Sequence, residues 1–119
     1  MSNCTVCHIE YKSEDLAASQ KFCEQIFGWE FRSFGPDMVV FNTPEGHIGG
    51  FVAGSRPNDR GGIEVFYKVD SVDATVENST KLGATVRVAK HAVPGVGWSA
   101  SILAPDGNEF GLVEFTEQG

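Results

Sequence analysis

Pro44-Glu45-Gly46-His47-Ile48-Gly49-Gly50-Phe51-Val52 returns 61 residues later as Pro105-Asp106-Gly107-Asn108-Glu109-Phe110-Gly111-Leu112-Val113. A proline, an acid, a glycine, a polar residue, a second glycine, a large apolar residue and a valine coincide in order. Working outward, Ile9-Glu10-Tyr11-Lys12 returns as Val65-Phe66-Tyr67-Lys68 after 56 residues, and Phe27-Gly28 as Leu82-Gly83 after 55. Offsets that drift so little mark two copies of one supersecondary unit. Repeat one covers about residues 4–53 and repeat two about 63–116, with a polar, turn-rich linker at about 54–62, all within a single domain of residues 1–119.

Each copy reads the same way. Residues 4–12 alternate as a strand, with Thr5, Cys7, Ile9 and Tyr11 on one face and Val6, His8 and Glu10 on the other. Ser13 has the chemistry of a helix N-cap, with Glu14 and Asp15 behind it where the helix dipole favours acids. Leu16, Ser19, Phe22, Cys23, Ile26 and Phe27 form one helical face, and Gly28 supplies a left-handed stop. Residues 29–34, 38–42 and 48–53 follow as short strands parted by Gly35-Pro36-Asp37 and Pro44-Glu45-Gly46 turns. In the second copy, 64–69 is a strand and 71–82 a helix with Val72, Val76, Ser79 and Leu82 as its apolar side. Strands at 85–88, 98–103 and 109–115 complete it. The expected fold is α+β, a βαβββ unit used twice. One unit alone leaves a sheet face bare, so the two are expected to enclose one cavity, with residues 90–97 as a loop at its mouth.

Composition narrows the function classes. With 41% hydrophobic and 21% charged residues, the chain is globular and not disordered. No run approaches the roughly 18 apolar residues of a membrane span. The opening Met1-Ser2-Asn3-Cys4-Thr5 lacks the basic and apolar regions of an export signal, so the expected setting is the cytoplasm. Nine Lys and Arg against sixteen Asp and Glu give a net charge of −7. That argues against nucleic acid and anionic membranes as partners and favours neutral or cationic small molecules. Cys4-Thr5-Val6-Cys7-His8 matches a haem-attachment pattern, but strand alternation sends the two cysteines to opposite faces. A zinc reading lacks a second ligand pair. Gly95-Val96-Gly97-Trp98 precedes a strand and not a helix, which excludes a dinucleotide loop.

The pattern resembles the vicinal oxygen chelate superfamily, which includes glyoxalase I, extradiol dioxygenases, fosfomycin-resistance enzymes and bleomycin-resistance proteins. The resemblance rests on His8 seven residues before Asp15, on Phe22 through Phe27-Gly28-Trp29, and on Gly49-Gly50. Val69-Asp70 before the second helix and Ala104-Pro105-Asp106-Gly107-Asn108 before the last strand complete it. It implies a divalent metal held by four side chains, from the first and last strands of each unit. Those places are His8, Gly50, Glu64 and Gly111, a register the internal repeat supports. His8 and Glu64 are competent metal ligands and the candidates for catalysis; the two glycines are not ligands.

Two expectations follow. The first is a metal-free binding protein similar to the bleomycin-resistance members, holding a hydrophobic or cationic small molecule, with no cofactor. The alternative is a metal-dependent lyase, isomerase or dioxygenase using His8 and Glu64. The expected cavity lining is His8, Glu10, Trp29, Phe31, Gly50, Glu64, Phe66, Trp98 and Gly111, the glycines enlarging the space. His47 and His91 fall in expected turns or loops and are left out of the site. Glu114 points away from position 111 by strand alternation. A homodimer is expected, because residues 4–9 of the first strand are uncharged, lack proline and need their edge covered.

Overall fold

Alternation and caps produce the expected order twice over. The computed structural model describes residues 4–54 and 63–116; most of the expected linker, at 55–62, lies outside them. The first copy comprises β1 (Val6–Ser13), α1 (Leu16–Phe27), β2 (Glu30–Ser33), β3 (Met38–Thr43) and β4 (Gly46–Ala53). The second comprises β5 (Ile63–Lys68), α2 (Val72–Lys81), β6 (Thr85–Val93), β7 (Gly97–Leu103) and β8 (Glu109–Phe115). The architecture is mixed α+β. The chain divides into two compact units, residues 8–64 and residues 65–119, the latter also taking the residues before His8. Accordingly, the Lys68 N–H donates to the Thr5 carbonyl at 2.9 Å.

Within each unit the strand order is the same. The first orders its strands β2-β3-β4-β1 and the second β5-β8-β7-β6. β1 runs parallel to β4 with Glu10 opposite Gly50, and β5 runs parallel to β8 with Phe66 opposite Gly111. The remaining pairs within each unit are antiparallel.

The helix ends follow the sequence with one correction. Asp15, not Ser13, caps α1: its carboxylate accepts from the Ala18 N–H at 3.0 Å. Ser13 is still the last residue of β1, opposite Ala53, and its buried hydroxyl meets Ser19 Oγ at 2.7 Å. Gly28 at φ 71° closes the helix, donating to the Glu24 carbonyl. The Ser71 hydroxyl caps α2 by accepting from the Ala74 N–H, and the Glu114 carboxylate adds a second acceptor there, taking the Val72 N–H at 2.9 Å. The expected apolar stripe of α1 is wider than the face the sheet covers. Cys23 is buried, whereas Phe22 and Ile26 are each 60% exposed.

A second correction concerns residues 90–97. β6 continues to Val93, so only the turn at 94–96 separates it from β7. Register shifts between Val86 and Val88 and between Val88 and His91 absorb the extra residues and keep the long strand paired. His91 therefore lies on a strand, opposite Ser99.

The helix-side faces carry the cores. In the first unit Trp29 stacks on Phe41 at 4.3 Å between ring centroids, nearly parallel, and Phe31, Phe51 and Tyr11 extend the cluster. Such pairs add roughly 0.5–1.5 kcal/mol each beyond the area they bury. In the second unit the core is aliphatic: Val69, Val72, Ala100, Ile102 and Leu112, with Val76 packed against them.

Candidate functional site

β1 places His8 and Glu10 two residues apart on one face, as its alternation requires. Glu10 Oε1 lies 3.2 Å from His8 Nε2, and their side chains are 20% and 16% exposed. The other nitrogen of the same ring, Nδ1, lies 2.8 Å from Nε2 of His47. The two imidazoles meet edge to edge, with centroids 5.0 Å apart and planes 12° from parallel.

His47 is the member of this cluster that the sequence reading left out. It lies on β4, not in the preceding turn. Strict alternation from Gly49 and Phe51 would send it to the α1 side, away from His8. A bulge prevents this: Phe41 pairs with Gly49, but the next residue, Asn42, pairs with His47. The extra residue, Ile48, turns His47 to the face that Asn42, Val40 and His8 share. Re-aiming a side chain in this way depends on the partner strand, and no local sequence signal marks it. His47 as a residue is exposed, yet its packed side is desolvated. That desolvation, followed by the neighbouring His8 and Arg32, lowers its pKa below the ordinary histidine value of 6.5. Arg32 belongs to the same face, since it pairs with Val40, which pairs with Gly50, which pairs with Glu10.

The other expected lining residues divide. His8, Glu10 and Gly50 come together on one face of the first unit. Phe66 lies over Gly111 in the second, and Glu64 sits half-buried on β5. Trp29 and Phe31 do not join His8: they belong to the helix-side aromatic cluster, because Phe31 pairs with Phe41 and Phe41 with Gly49. Trp98 also lies on a helix side. It shares the face of Ala100 and Ile102, and Lys90 sits 4.7 Å above its ring while pairing with Asp73 of α2 at 2.8 Å.

The glycines do not widen the space beside them. A β-carbon at Gly50 would lie 2.7 Å from the Val39 carbonyl oxygen and 3.0 Å from the Met38 methyl. One at Gly111 would strike the Phe66 ring. Neighbouring chain already fills both places. The four positions that the family resemblance assigns to a metal therefore do not fit one in this chain. Two have no donor, and at a third both ring nitrogens of His8 are engaged by Glu10 and His47. Among the described residues no group of three or more His, Cys, Asp or Glu side chains is placed to hold a metal ion. Nor, among them, is any helix long and apolar enough to cross a membrane.

Comparison with known proteins agrees with this architecture. The family model of the glyoxalase-like domain matches residues 8–113. A glyoxalase/bleomycin resistance protein/dioxygenase superfamily member from Vibrio splendidus superposes with a TM-score of 0.70 at 15% identity, covering 92% of this chain and 99% of that one. Homoprotocatechuate 2,3-dioxygenase from Brevibacterium fuscum, in complex with 3,4-dihydroxyphenylacetate, gives 0.75 at 17% identity over 93% of this chain. The chain spans only 36% of that dioxygenase's length, and 32% of a variant of the same enzyme that superposes at 0.73 with 18% identity. At these identities the likeness concerns the fold. A search of curated protein sequences returned no significant match. With a family model spanning nearly the whole chain and a fold built from two βαβββ units, the protein belongs to the glyoxalase-like domain family of the vicinal oxygen chelate superfamily.

Proposed function

We propose that this glyoxalase-like domain binds a hydrophobic or cationic small molecule, using the His8-bearing face of its first unit, and does not turn one over at a metal centre. The observation that carries the reading is the state of the family's metal positions. Gly50 and Gly111 offer no donor, and the volume a longer side chain would need is occupied by Val39 and Met38 in one case and Phe66 in the other. The net charge of −7 supports a neutral or cationic ligand over an anionic one. Elemental analysis of protein purified without a histidine tag tests it. The expected result is divalent metal well below one equivalent. Stoichiometric zinc, nickel, iron or manganese that disappears in His8→Ala and Glu64→Gln would overturn the reading in favour of a lyase, isomerase or dioxygenase. We further propose a homodimer, for which light scattering is expected to give about twice 12.8 kDa; a mass near 12.8 kDa would reject it.

A further inference from the structure

Hydrogen-bond direction along the Glu10–His8–His47 chain specifies the ligand group that the outermost ring takes. A carboxylate only accepts, so His8 Nε2 carries the proton and donates to Glu10. In the neutral form of the pair each imidazole has one N–H, so His8 Nδ1 is left with a lone pair. It must therefore accept from His47 Nε2, 2.8 Å away. The same rule leaves His47 Nδ1 as a bare acceptor. Among the described residues that atom has no partner, and His47 is exposed. The anchored carboxylate at one end thus sets the polarity of an exposed nitrogen two side chains away.

We propose that His47 Nδ1 accepts a hydrogen bond from the hydroxyl of an aromatic or enolic small molecule, with His8 and Glu10 as positioning residues and no metal involved. The inference rests on the small-molecule reading above and narrows it from hydrophobic or cationic ligands to neutral, hydroxyl-bearing ones. A hydroxyl fits better than an ammonium, the other common donor, because Arg32 occupies the same face and forms no ion pair with any carboxylate among the described residues. Its guanidinium repels a cationic donor and favours an oxygen that gains negative character as its proton is drawn toward the imidazole. Met38, half-buried on this face, supplies apolar surface for the ring that bears the hydroxyl.

Two measurements test this on the intact chain. Long-range nitrogen–proton NMR of the wild-type protein is expected to show both His8 and His47 as Nε2–H tautomers; a proton on His47 Nδ1 would overturn the proposal without any variant. Calorimetry then compares 4-methylphenol, which stays un-ionised at neutral pH, with toluene, which lacks the hydroxyl. The phenol is expected to bind at least about tenfold more tightly, an amount suited to one buried hydrogen bond. His47→Phe, which keeps a ring beside His8, is expected to abolish that preference and change toluene affinity less than about twofold. Glu10→Leu, which removes the group that orients the chain, is expected to reduce the preference and alter the His47 tautomer signal. Equal binding of the two probes would overturn hydroxyl recognition and leave small-molecule binding standing. Binding of neither would overturn both.

Discussion

The two units share a strand order and the parallel pairing of first with last strand, and differ in what they place on that frame. In the first, Glu10 faces Gly50, and the adjoining imidazoles form a polar chain; in the second, Phe66 occupies the equivalent place and its ring covers Gly111. The cores differ in the same sense. Stacked aromatic rings hold the sheet of the first unit to its helix side, while short aliphatic side chains do so in the second. Backbone pairing is satisfied identically whichever side chains it carries. A duplicated frame is therefore free to concentrate polar chemistry in one copy and close the matching row of the other with a ring.

The largest expected effect probes the two cores. Phe41 is almost fully buried and contacts three other rings, so Phe41→Ala should destabilise by about 3–5 kcal/mol in chemical denaturation. Val72, equally buried in the second unit, loses far less volume on going to alanine. A Val72→Ala cost equal to that of Phe41→Ala would break the contrast between aromatic and aliphatic cores.

The paired glycines sharpen the comparison next. A β-carbon at Gly50 meets a backbone carbonyl, which cannot move aside, whereas one at Gly111 meets a side-chain ring. Gly50→Ala and Gly111→Ala are each expected to cost about 1–3 kcal/mol through overpacking. Only the second should be relieved by Phe66→Ala in a double-mutant cycle. Absence of coupling between positions 66 and 111 would refute the ring-over-glycine account.

Acid sensitivity should separate the units further. His47 takes a proton less readily in the folded protein than in the unfolded chain, so its contribution to stability is present above the ordinary value of 6.5. That contribution is lost as pH falls below it, when the unfolded state binds a proton that the folded state resists. The slope of unfolding free energy between pH 7 and 5 is expected to flatten in His47→Phe; an unchanged slope would remove His47 as its source.

The smallest effect compares two serines of β7. Ser99 donates to the Leu112 carbonyl at 2.9 Å, while the Ser101 hydroxyl, in a residue only 3% exposed, has no partner among the described residues. Ser99→Ala should cost about 1 kcal/mol. Ser101→Ala should instead leave stability unchanged or raise it by up to about 1 kcal/mol, since it removes an unsatisfied buried hydroxyl. A loss equal to that of Ser99→Ala would mean that Ser101 has a partner after all.

What the sequence determined by itself is local or repeated. The internal repeat announced two βαβββ units, period-two alternation put His8 beside Glu10, and Gly28 marked the end of α1. Caps were legible only to within a residue or two, because Ser13, Glu14 and Asp15 offer similar chemistry and the pairing of Ser13 with Ala53 chose among them. The tertiary structure decided the rest. The bulge opposite Asn42 turned His47 toward His8, cross-strand pairing drew Trp29 and Phe31 to the helix side, and Phe66 filled the place over Gly111. The physical reason is the short period of a strand. Each residue's face depends on register with a distant partner, and a single inserted residue reverses it, so local patterning names the strands but pairing assigns their chemistry.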